Sequence, residues 1–477
     1  MKFSKLLLAS SVSTLMLAGC GDNNDSSASS TYSACNVSID ESVDKENRVI
    51  SGRICEDVTL DASAPWTLKG TVNVGNGDQE ITDDNLQKVI NDGVTLTIEK
   101  DAEIKADSDG SLIVTRGSKI EAAGEKTAPI VFSSEDSNYD GSGEWGGIII
   151  QGFAPQYSPG TSKACHEGGN CNVQGEGGEN VAYFGGDDEK DYSGTLKYVV
   201  IAEGGYQASE GNEINGLTLQ GVGSETNLEY IQVHGNLDDG IEWFGGTANL
   251  KYAVLTNNDD DDLDFDEGYK GSIQYALIIK NQNKDYPTGS NDPRGIEANS
   301  SDEDSVKVTQ AYLSNISIIG SDLVRSEPSS GAGEKNLSEQ SGTRFRGDVK
   351  VNLYNSLSVN YHNCLRVDNG KDEDTQVTFK NILIGKCESK GIKLSNIDQP
   401  ASYDTEVTKL EDANVVFTDT LALAGDAAKL TIKTVVEGDL EQTDYIGAID
   451  PNEDEAWWEG WTIEGSTDLE SDLKAVQ

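Results

Sequence analysis

The sequence predicts an all-β chain coiled into a solenoid of short stacked strands, and three features carry that expectation. One motif recurs: an apolar residue, a variable one, Tyr or Asn, then mostly apolar residues. It reads LKYVVI from Leu196, LEYIQV from Leu228, LKYAVL from Leu250, IQYALI from Ile273, LSNISI from Leu313, LYNSLS from Leu353 and FKNILI from Phe379. The spacings of 32, 22, 23, 40, 40 and 26 residues imply a unit of about 22 to 26 with insertions. A second short run follows in each unit, as in GLTL at Gly216, GIEW at Gly240, DLDF at Asp262 and GIEA at Gly295, with residues alternating inward and outward. Gly, Asn and Asp fill the connections between runs. Several short strands per unit joined by such turns suit a coil better than a sandwich of hairpins.

The chain opens with MKFSKLLLASSVSTLMLAGC, a basic start, an apolar run and a small-residue site, which is the layout of an export signal over residues 1–19. Its ending, Leu17, Ala18, Gly19 and Cys20, resembles the bacterial lipoprotein lipobox. That resemblance implies lipidation of Cys20 and a membrane anchor, and Gly21 in place of Asp implies the outer membrane. Residues 20–34, rich in Ser, Asn and Asp, read as a flexible tether. Residues 35–93 form an N-terminal segment and cap, and 94–397 hold the coils. Within 398–477 the pattern turns irregular and ends in AWWEGW. Trp457, Trp458 and Trp461 are expected in a cap over the open end of the solenoid. A sugar-binding aromatic platform is the alternative.

The coils resemble the right-handed parallel β-helix of pectate-lyase-like proteins over roughly residues 90 to 400. Val94 to Asp136 and the GEWGGIII at Gly143 resemble the opening coils of exported bacterial β-helix proteins. The likeness implies architecture more than activity. Tyr198, Tyr230, Tyr252 and Tyr275, followed by Asn315, Asn355 and Asn381, then become two internal ladders that hold the coils in register.

A formal charge of -47, from 83 acidic and 36 basic residues, excludes a nucleic-acid partner. Of seven cysteines, Cys20 is assigned to lipid, leaving six for an oxidising compartment. Nearest-neighbour pairing joins Cys35 to Cys55, Cys165 to Cys171 and Cys364 to Cys387, although the sequence itself leaves the connectivity open.

The stretch NNDDDDLDFDEG, residues 257–268, concentrates the charge. Leu263 and Phe265 are expected to face the core, with Asp264 outward between them. Asp238, Asp239 and Glu242 lie 22 residues before Asp260, Asp261 and Asp264, so the carboxylates stack on coils about 4.8 Å apart. Unit charges at that distance repel by roughly 1 kcal/mol even in water. Ca²⁺, which accepts irregular sets of oxygen ligands, is the expected remedy, with Asp238, Asp239, Asp260, Asp261 and Asp262 as candidate ligands. The window is not an EF-hand, because Glu267 stands where that loop requires Gly. A solvated acidic face is the competing reading.

The outward residues of the second strands run from acidic to basic: Thr218, Glu242, Asp264, Glu297, Arg344, Arg366 and Lys393. Similarity to β-helix polysaccharide lyases implies a cation that neutralises a uronate and an Arg or Lys base. On that reading Asp264, Glu297, Arg344, Arg366 and Lys393 form the site. Similarity to β-helix glycoside hydrolases would instead nominate Asp239, Asp261 and Asp264. Against both, the same residues could be cross-coil ion pairs. His234 and His362 read as turn residues, and CHEGGNC from Cys165 as a disulfide-closed loop. With no transferable catalytic motif, the expected function is that of an outer-membrane surface lipoprotein. It would bind a polysaccharide, another ligand or an outer-membrane protein partner, with a calcium-dependent polysaccharide lyase as the alternative.

Overall fold

The computed structural model describes residues 35–40, 48–136, 138–156, 171–175, 183–209, 212–281, 293–300, 308–326, 340–369, 374–395, 403–409, 415–418, 420–424, 437–469 and 475–476. Cys20, Cys165 and His166 lie outside the described residues. Within them, 26 strands join in one sheet that winds on itself as a right-handed parallel β-helix. Among the described residues, the one antiparallel strand pairing in this sheet is that of Ser38–Asp40 with Arg48–Ile54, at its N-terminal edge.

Each coil alternates a short strand with a longer, bent one. The short strands Leu217–Gln220, Ile241–Phe244, Leu263–Asp266 and Ile296–Ala298 stack in register, so Leu217, Ile241, Leu263 and Ile296 form one column inside the bore. Leu219, Trp243, Phe265 and Ala298 form the next, and all eight residues are fully buried. Burying a large apolar side chain contributes about 1.5–3 kcal/mol, so repeating these columns coil after coil fixes the register.

The longer strands, such as Asn227–His234, Leu250–Thr256 and Lys270–Ile279, bend at the Tyr or Asn of the repeat. Pairing runs Lys197 to Glu229 and resumes Val199 to Ile231, skipping Tyr198 and Tyr230. All seven ladder residues have φ between 47° and 63°. One left-handed residue turns the strand onto the next face of the coil. Asn tolerates that conformation, and Tyr less so. The sequence placed the tyrosine ladder inside the bore, but the rings stack on the outer surface instead, with centroids 4.3, 4.4 and 4.8 Å apart. Stacking of this kind contributes about 0.5–1.5 kcal/mol per pair, which offsets the backbone cost. In the asparagine part, Asn381 Nδ2 donates to Asn355 Oδ1 at 2.7 Å.

The parallel stack begins earlier than the expected boundary at residue 94. Arg48–Ile54 already pairs in parallel with Trp66–Val74, so the coils begin at residue 48. Here the bend is made by Gly52, φ 82°, which lacks the Tyr or Asn signature. At the other end, Tyr403–Lys409 still pairs in parallel with Gln376–Gly385, beyond the expected limit of 397.

Residues 437–469, expected as part of a cap over the open end, lie elsewhere. They run back along one flank, from Glu437 beside Tyr354 to Glu455 beside Lys126, an early coil. The reason is visible in the outward column to which Val200, Val254, Leu277, Leu357 and Leu383 belong, which is mostly apolar and needs a cover. Disulfides join Cys35 to Cys55 and Cys364 to Cys387. The third expected pair includes Cys165, outside the described residues.

Candidate functional site

The acidic stretch occupies the turn that leads from a bent strand into the next short strand. Its frame is a set of buried asparagines. Asn258 Oδ1 accepts from Asn236 N at 3.0 Å, and Asn236 Nδ2 donates to Asp239 O at 2.7 Å. These hold successive turns in one conformation, 22 residues apart, and aim their carboxylates the same way.

Two groups of carboxylates result. Ligand-capable oxygens of Asp238, Asp239 and Asp260 lie within 4.8 Å of one another, and so do those of Asp239, Glu242 and Asp264. Asp239 belongs to both. Burial, and then the neighbouring Asp238, Asp264 and Asp260, push its carboxyl well above the usual carboxylate range. Asp264 is pushed up to about 7 by burial and by Glu297 across the coil. Its Oδ1 is buried and accepts no hydrogen bond among the described residues.

The two remaining candidate ligands are engaged elsewhere. Asp261 accepts from Arg294 N at 2.9 Å and faces Arg294 Nη1 at 3.3 Å, while its own N–H donates to Asp239 Oδ1 at 2.9 Å. Asp262 turns inward, where Lys280 Nζ lies 2.8 Å away and Asn258 Nδ2 donates at 2.9 Å. Lys280 also donates to the carbonyls of Asn258 and Asp260, so it is the internal counter-ion of the turn. Adjacent in sequence, Asp261 and Asp262 thus meet different cations, Arg294 and Lys280.

Along the stripe the expected register holds: Thr218 sits opposite Glu242, Glu242 opposite Asp264, Asp264 opposite Glu297, and Glu297 opposite Arg344. Arg366 lies opposite Lys393. The arginines are paired off. Glu297 binds Arg294, and Arg346 Nε donates to it at 2.6 Å, with Arg344 at 3.5 Å. Burial opposes the ionised form of Glu297, but the three guanidiniums prevail and hold it down at about 2. Asp368 accepts from Arg344 Nε at 3.1 Å and faces Arg366 Nε at 2.7 Å. The stripe is thus a neutralised basic half beside an acidic half whose carboxylates crowd one another.

The family model described as a pectate-lyase-like β-helix domain matches residues 52–462. The chain belongs to this family. No curated protein and no solved structure matches it. In this pectate-lyase-like β-helix the match takes in both the early glycine-cornered coils and the C-terminal segment on the flank.

The tryptophans of that segment do not form an open platform. Trp458 and Trp461 are buried, and Trp457 and Trp461 meet the tyrosine ladder edge-on at 5.2–6.2 Å. His234 makes structural bonds, to Thr256 Oγ1 at 2.7 Å and to the Tyr139 carbonyl at 3.2 Å, and His362 bonds the Arg325 carbonyl at 3.2 Å. Sequence reasoning missed Lys280, Arg294 and the asparagine frame. The signals present were Asn236 and Asn258 at the coil spacing and a lysine ending the apolar run ALIIK. It also missed Asp136, Asp140 and Glu203, whose oxygens lie within 4.8 Å of one another though Glu203 is distant in sequence.

Proposed function

We propose that the protein is a calcium-stabilised binding module on a β-helical scaffold, carried at the outer membrane by a lipid on Cys20, whose acidic turn face engages a polysaccharide or a partner protein. A pectate-lyase-like β-helix suggests a polysaccharide-related function. The observation that carries the calcium reading is the place of Asp239 in both carboxylate groups. Five carboxylates, Asp238, Asp239, Glu242, Asp260 and Asp264, converge through it, and Ca²⁺ suits such a hard, irregular oxygen set. These five are the candidate ligands the geometry favours. Asp261 supports them through its N–H on Asp239.

Binding is favoured over lyase chemistry because Arg344 and Arg366, two of the three nominees for a base, share Asp368, and Arg344 also faces Glu297. A guanidinium held by carboxylates is a poor proton acceptor. Unfolding temperature measured with Ca²⁺, with Mg²⁺ and with neither tests the reading. Ca²⁺ alone is expected to raise it by mass action, and Asp239→Asn to abolish the rise. If Ca²⁺ does nothing and Asp239→Asn alone stabilises the protein, the face is merely solvated and the reading fails.

A further inference from the structure

The flank beneath the C-terminal segment is built to receive an extended peptide. One outward column runs in register through Val200, Gln232, Val254, Leu277, Ser317 and Leu357. Its two polar members are buried and both serve the segment. Gln232 Oε1 accepts from Ile463 N at 2.8 Å and its Nε2 donates to Ser466 Oγ at 2.9 Å. Ser317 Oγ accepts from Ala448 N at 2.9 Å. On the other side of the corner, Gln274 Oε1 accepts from Glu441 N at 2.7 Å and Gln274 Nε2 donates to Glu441 O at 2.9 Å. A side-chain amide here copies the two-way pairing of a neighbouring strand.

The corner residues change where the segment changes. Three tyrosine corners meet indole rings, among them Tyr252 with Trp457 at 5.2 Å and Tyr198 with Trp461 at 5.6 Å, while the fourth, Tyr275, donates its hydroxyl to Glu441 Oε2 at 3.0 Å. The asparagine corners make hydrogen bonds instead: Asn315 Nδ2 donates to the carbonyls of Tyr445 and Gly447 at 3.2 and 3.3 Å, and Asn355 Nδ2 donates to Thr443 Oγ1 at 3.0 Å. Among the described residues, one main-chain to main-chain bond joins residues 437–469 to a coil, from Gly447 N to Asn355 O at 2.9 Å. No strand of the coiled sheet is contributed by this segment. Removing it therefore breaks none of the pairings that hold coil to coil.

We infer that residues 437–469 are a clasp that docks on completed coils as one cooperative unit, its register read by the Tyr and Asn corners, so that the flank is a built trough for an extended peptide filled by the chain's own C-terminal segment. Chain order gives this a consequence. The trough stays uncovered until the last part of the chain arrives, and the clasp completes the protein.

Native-state hydrogen exchange of the full chain, read by peptide, tests the inference. Amides of 437–469 should exchange together, at least tenfold faster than those of Lys270–Ile279. Trp461→Ala should accelerate exchange across the whole segment, including Asp439 and Glu441, while Lys270–Ile279 keeps its protection. Acceleration confined to the neighbourhood of residue 461, or loss of coil protection in step with the segment, overturns it. If Trp461→Ala does not accumulate folded, Tyr230→Asn decides. Asn suits the left-handed corner but removes the ring that faces both indoles, so coil protection should stay and clasp exchange should rise. An unchanged clasp in that variant refutes the reading of register by the corners.

Discussion

Lys280 Nζ and the Asp262 carboxylate lie 2.8 Å apart, and neither side chain is exposed. This pair is the interior foundation of the acidic turn, since the same ammonium also binds two of the turn's carbonyls. Burial pushes Asp262 up to about 6 even though Lys280 opposes it. A carboxyl raised in the fold contributes stability that is present below its unfolded value and lost as pH rises through the folded one. Lys280→Met removes the opposing charge, so it should cost about 3–5 kcal/mol at pH 8 and distinctly less near pH 4, where Asp262 is protonated. Denaturant unfolding at the two pH values measures this, and an equal loss at both would show that the charge of the pair is immaterial.

Glu297 gives the opposite sign. Its carboxyl is held at about 2 against burial, so its contribution is present above the unfolded value near 4.5 and lost as pH falls through about 2. Glu297→Gln leaves Arg294, Arg344 and Arg346 without their shared anion. A loss of about 3 kcal/mol at neutral pH is expected, together with a flatter acid limb of the stability curve. Should the acid limb be unchanged, the carboxylate is not the group that titrates there.

The coils and their register were legible in the sequence because they are local. Leu263 and Phe265 alternate with Asp264 within three residues, and the 22-residue step from Glu242 to Asp264 is a simple count. What the sequence could not assign were partners supplied by other coils. Asp261 and Asp262 look alike in a run of four aspartates, yet Arg294 takes one and Lys280 the other. The tyrosine ladder was visible as a repeat, but its outward direction depends on a left-handed φ and on tryptophans far along the chain. The early coils escaped because glycine makes their corner and glycine carries no side-chain signature.

The Cys364–Cys387 disulfide ties two successive turns at the C-terminal end of the helix, across 23 residues. Cys364 is fully buried and packs in the bore, while Cys387 is partly exposed beside it. Constraining a loop of this length contributes about 3 kcal/mol in the chain-entropy description. Cys364→Ala with Cys387→Ala should therefore lower unfolding stability by about that amount, with the loss of exchange protection largest in Asn363–Asp368 and Lys390–Ser395. Loss spread evenly over all coils would mean that the coils unfold as a single unit rather than from this end.

Calcium and protons should compete for the same relief. Asp264 is pushed up to about 7, and Asp239 lies well above its usual range, in both cases by burial first and by neighbouring carboxylates after it. Without a cation, stability from Asp264 is present below about pH 4 and lost as pH rises through about 7, with Asp239 acting in the same direction, because the ionised forms repel in a buried place. A bound Ca²⁺ requires the ionised forms, so its stabilising effect must grow over the same interval. The shift in unfolding temperature caused by Ca²⁺ should be large at pH 8 and nearly absent at pH 5, and the metal-free protein should be less stable at pH 8 than at pH 5. Calorimetric scans at both pH values, with and without Ca²⁺, read all four numbers. A Ca²⁺ shift that is the same at pH 5 and pH 8 would mean that the ion binds at ordinary surface carboxylates, and the group centred on Asp239 would then have to be held by its own protons.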